Sequence, residues 1–94
     1  MIGKVRETHA RYLCDSKVAI EYLNAALEER DRAVILMAMR NIAEAQEGGI
    51  TGLSERTRLG RESMYKMLSE NGNPKLSSFT RLLAGLGLHL KVEA

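Results

Sequence analysis

The chain has 94 residues, 45% of them hydrophobic and 28% charged, with a formal net charge of +2. This is enough for one compact domain with a modest core, and too apolar for a disordered chain. No run approaches 18 consecutive apolar residues and no secretory pattern opens the chain, which excludes a membrane span and argues against export.

Cys14 is the only cysteine, so no intrachain disulfide can form and a reducing cytoplasm is the expected compartment. With His9 and His89 it shows no paired ligand spacing, so neither a metal nor a cofactor is expected. The charge is unevenly spread. Residues 1–45 hold seven basic and seven acidic side chains, and residues 46–94 hold seven and five, so the whole excess lies in the second half.

Residues 1–14 read as an amino-terminal arm, with room for a short strand around Lys4 to Thr8. Asp15 and Ser16 are good helix N-caps. A helix is predicted over residues 16–29, with Ile20, Leu23 and Leu27 on one stripe beside Ala19 and Ala26. Asp31 caps the next helix, residues 32–46, whose inner stripe is Ile35, Ala38, Met39 and Ile42. Val34, Leu36 and Met37 widen that stripe, as in a helix touched on several sides or one that meets a partner.

Gly48 and Gly49 break the pattern. A short helix over residues 51–57, a tight turn and a helix over residues 61–69 follow. Asn71-Gly72-Asn73-Pro74 is a loop. Ser77 or Ser78 caps a fifth helix carrying Phe79, Leu82, Leu83 and Leu86, which Gly87 ends. Residues 88–92 then alternate, turning Leu88, Leu90 and Val92 to the core and His89 and Lys91 to water, the period of a half-buried strand. The expected fold class is mainly all-α: five helices, then a short C-terminal β-strand. Residues 15–94 form the single domain.

Residues 50–69 (ITGLSERTRLGRESMYKMLS) carry the functional signal. Two short helices joined by a tight turn need apolar residues at fixed inward positions, and Leu53, Leu59, Met64 and Leu68, with Met67 beside them, supply these. Opposite lie Arg61, Glu62, Tyr65 and Lys66, spaced to share one outward stripe. That is the arrangement of a helix-turn-helix whose second helix enters the major groove. Arg61 suits guanine, and Glu62 suits a cytosine amino group or the anchoring of Arg61. Lys66 and Arg58 suit phosphates. Tyr65 suits a thymine methyl or a phosphate. Thr51 and Ser63 complete the candidate DNA-binding set.

From Leu13 to Glu93 the chain resembles the HigA-related addiction-module antidote proteins. The resemblance rests on Leu13-Cys14-Asp15-Ser16, residues 20–29 (IEYLNAALEE), Asp31 and Asn41-Ile42-Ala43. It continues through residues 61–66 (RESMYK), residues 69–74 (SENGNP) and residues 86–93 (LGLHLKVE). It implies a Cro/repressor-like helical domain that neutralises a RelE/HigB-like ribonuclease toxin and represses the shared operon. Three positions depart from the family pattern: Gly52, where glutamine is expected; Arg58, where glycine suits a left-handed turn; and Gly60, where a serine cap is usual.

One such unit covers a short half-site, so a homodimer on a palindromic double-stranded operator is expected, its half-sites about 34–36 Å apart or a multiple of that. The strand over residues 88–92 needs a pairing partner, either its counterpart in a second chain or the amino-terminal arm. The alternatives are a toxin- or protein-binding module with little DNA affinity, and a stand-alone prophage-type transcriptional regulator. An enzyme is not expected. No phosphate loop or nucleophile motif is present, and Cys14 and the serines read as packing or capping residues.

Overall fold

The computed structural model describes residues 13–94. The arm, and the strand expected around Lys4 to Thr8, lie outside the described residues. Among those described, the backbone forms five helices: α1 (Ser16–Glu28), α2 (Arg32–Ala45), α3 (Gly49–Thr57), α4 (Arg61–Met67) and α5 (Leu76–Gly85). None is long and apolar enough to cross a membrane.

The first two helices start where a side chain can satisfy a free backbone N–H. The Asp15 carboxylate accepts from the Lys17 N–H and the Asp31 carboxylate from the Ala33 N–H, each at 2.9 Å. α5 begins differently. Its cap is Lys75, without a side-chain bond, and Ser77 and Ser78 already lie inside its first turn, two and three positions past the cap. It ends as its sequence suggests. Gly87 takes a left-handed φ of 79°, the Gly87 N–H bonds the Ala84 carbonyl, and the Leu88 N–H reaches back to the Leu83 carbonyl at 2.8 Å.

α1 packs on α2, α2 on α3, and α3 on both α4 and α5, so α3 is the hub of the structure. Met39, Ile42, Leu53, Met64 and Leu82 are wholly buried around it, with Leu23, Leu36, Leu68 and Leu83 close behind. Leu13, assigned above to the arm, is buried as well. On α2 the inner stripe is rotated from expectation: Leu36 is buried while Ile35 is half-buried, and Met37 is 43% exposed. Phe79 is half-buried at the core's edge, and Ile20 is 45% exposed.

The C-terminal strand is not formed. Among the described residues no backbone hydrogen bond is made by residues 89–94, and a strand without a neighbour has nothing to hold it extended. Leu88 does pack against the core. Leu90 and Val92, expected inward, are 46% and 96% exposed.

Candidate nucleic-acid interface

The helix pair α3–α4 is built from the inside. Leu53, Met64 and Leu68 are buried between the two helices and the rest of the core, as their spacing predicts, while Met67 is only half-buried. Leu59, in the turn, packs against this cluster but stays half-buried.

Two buried polar side chains hold the turn. The Ser54 hydroxyl donates to the Leu59 carbonyl. Thr57 Oγ1 donates to the Leu53 carbonyl at 2.8 Å and accepts from the Leu59 N–H at 3.3 Å. Both backbone polar groups of Leu59 are therefore satisfied from α3. No side-chain bond is made by the cap of α4, Gly60, whose φ of −61° and ψ of 149° suit any residue. The serine missing at position 60 costs the turn one anchor, and Ser54 and Thr57 supply others. Sequence reasoning passed over both. The signal lay in polar residues on the inward face of a short helix, where only a local backbone partner makes burial affordable.

Arg58 has a φ of 60° and a ψ of 20°, the left-handed conformation that glycine adopts without strain. Arg58 adopts that conformation with a full side chain and places a cation at the turn.

The departure at Gly52 has a local cause. A Cβ there would stand 2.9 Å from the Glu47 carbonyl oxygen and 3.0 Å from Arg56 Nη1. Arg56 uses that space. Its Nε donates to the Gly85 carbonyl at 2.9 Å and its Nη2 to Gln46 Oε1 at 3.1 Å, while Gln46 Nε2 donates to the Leu86 carbonyl at 2.9 Å. The two side chains staple the end of α2, α3 and the end of α5 together. A glutamine at position 52 would have to share that volume.

Outside this frame, Thr51, Arg58, Arg61, Glu62, Ser63, Tyr65 and Lys66 are all exposed. Among the described residues none of the seven side chains is engaged in a hydrogen bond or ion pair. Three are cationic and one anionic, an excess of two, which equals the net charge of the whole chain. The candidate residues are thus solvated positions of α3, the turn and α4 whose charges sum to a mild positive excess.

The family described as "probable addiction module antidote protein" matches the chain over residues 5–94. An uncharacterised protein of Haemophilus influenzae is 30% identical over 84 residues, covering 89% of this chain and 84% of that protein. No solved structure matches. Because the match runs through the helix pair and every packed helix around it, the chain belongs to the family of probable addiction module antidote proteins.

Proposed function

We propose that this protein is the DNA-binding antidote of a toxin–antitoxin pair: it neutralises a RelE/HigB-like ribonuclease toxin and, as a homodimer, represses its own operon. One observation carries the DNA half of this reading. The α3–α4 pair buries Leu53, Met64 and Leu68 and leaves three cations, one carboxylate, a tyrosine and two hydroxyls unengaged on its outer side. A surface of that composition gains its binding partner in a duplex, phosphates for the cations and base edges for the forked donors. Family membership supports the antidote half.

The test is binding to duplex DNA from the protein's own promoter across a salt series. Three cations per protomer in a dimer neutralise up to about six phosphates, so the log–log slope should approach about −5. A flat slope, or equal affinity for promoter and random DNA, removes the repressor role. The toxin half is tested by co-expression with the neighbouring open reading frame. It fails if no complex with that product forms and its ribonuclease activity persists.

A second reading, a toxin-binding module with weak DNA affinity, is favoured by the staple at Gly52. There Arg56 occupies the space of the polar side chain expected at the start of α3. The same salt series separates the two readings.

A further inference from the structure

We propose that the groove between α1 and the C-terminal segment is a docking site for a second copy of this chain, the tails of the two copies pairing side by side over residues 89–92 while each stays on its own groove. The groove encloses about 730 Å³. Its apolar lining includes Ile20, Leu23 and Leu27 from α1, Leu83 from α5, and Leu88 and Leu90 from the tail. Ile20 and Leu90 are nearly half exposed, and Val92 just beyond them is 96% exposed. An apolar stripe of this kind, continuous from a helix onto a tail, marks a surface that is covered when the molecule is at work.

The tail supplies the second requirement. Gly87 turns the chain out of α5, Leu88 anchors it, and the backbone beyond makes no hydrogen bond among the described residues. Its side chains alternate apolar and polar from Leu88 to Glu93. Such a segment has a full row of free donors and acceptors and one apolar face, which is what strand addition uses.

The charge on the rim selects the occupant. Glu28 and Glu93 are acidic, Arg30 and Lys91 basic, and Lys91 and Glu93 lie 3.1 Å apart as an exposed pair. A two-fold axis sets one patch against its own copy, so a rim of a single sign would repel itself. Two charges of each sign do not. A strongly cationic or anionic partner would call for a rim of the opposite sign. The dimer this interface builds serves the repressor reading, but it is measured without DNA.

The experiment is the mass of the full chain by sedimentation over a wide concentration range, alongside Leu90→Glu, Val92→Glu and Met37→Glu, each checked for helical content. The full chain should be dimeric. Leu90→Glu and Val92→Glu should each weaken the dimer by about tenfold or more, because a carboxylate is forced into the covered stripe. Met37→Glu, on an apolar spot outside the groove, should leave it intact. Val92 touches too little of the protomer for its substitution to unfold it, so this variant answers even where Leu90→Glu does not fold. A monomeric full chain, or a Val92→Glu protein as dimeric as the parent, overturns the proposal. So does loss of a toxin complex by Val92→Glu without loss of the dimer. Absent promoter binding by a protein that dimerises as expected would refute the repressor reading alone.

Discussion

The guanidinium of Arg56 lies over the bare Cα of Gly52, 3.0 Å from where a Cβ would be. Neither residue is intelligible without the other. Glycine in a helix costs roughly 1 kcal/mol against alanine, and here that cost is offset by three polar contacts from Arg56 and its neighbour Gln46. Gly52→Ala should therefore destabilise by about 1–2 kcal/mol despite the better helix former, because the clash on the Glu47 side involves backbone. In an Arg56→Ala background the same substitution should cost less. A double-mutant cycle by urea denaturation reads the coupling directly, and additive effects would show that the two positions are independent.

Arg58 offers the opposite case, stability traded against charge. Its φ of 60° strains any residue with a Cβ by about 1 kcal/mol. Arg58→Gly should raise Tm by about 4–8 °C in a chain of this size. On the proposed DNA-binding reading, the same substitution should weaken duplex binding and flatten the salt slope by about one unit, since it removes a cation assigned there to a phosphate. Calorimetry and anisotropy on one protein sample give both signs.

Burial separates two leucines that the sequence pattern treats alike. Leu53 is wholly buried at the centre of α3, and Leu59 only half-buried in the turn. Leu53→Ala should cost about 2–5 kcal/mol. Leu59→Ala should cost roughly 1–2 kcal/mol, in proportion to the smaller apolar area it hides. Equal midpoint shifts on chemical denaturation would mean that the turn is packed more tightly than the structure shows.

On the outer side, Arg61→Ala should relax specificity at one base pair of each half-site, at about 1–3 kcal/mol. Lys66→Ala should weaken every duplex by a similar factor and reduce the salt slope by about one. Competition with single-base operator variants distinguishes the two roles. If both substitutions act alike on specific and random DNA, the division between base reading and phosphate holding is wrong.

The five helices were legible because each carries an apolar stripe between recognisable ends: Asp15, Asp31, the Gly48-Gly49 pair, the loop at Asn71 to Pro74, and Gly87. What escaped was relational. Gly72 looks like any loop glycine, yet a Cβ there would stand 2.1 Å from the Met67 carbonyl oxygen, a constraint visible only once the chain folds back. Arg56 looks like one more surface charge until its three acceptors, 9 to 29 residues away, are brought to it. The strand at residues 88–92 shows the converse. Alternation was read correctly as a pattern, but a pattern fixes a strand only where a neighbouring backbone is present to pair with it.

Gly85 carries a consequence for how the protein comes into being. A Cβ there would stand 2.5 Å from Thr57 Cγ2 and 2.7 Å from Leu53 Cδ1, so α5 rests on α3 with nothing between them. The helix pair at residues 49–67 is therefore not a detachable cassette, and excised from the chain it would expose Leu53 and lose the acceptor that Arg56 needs. On the ribosome the order of synthesis sets the same limit. A nascent chain that has emerged only through α4 holds the residues proposed to read DNA but not the packing that shapes them, which needs Gly85 and Leu86 to have cleared the tunnel.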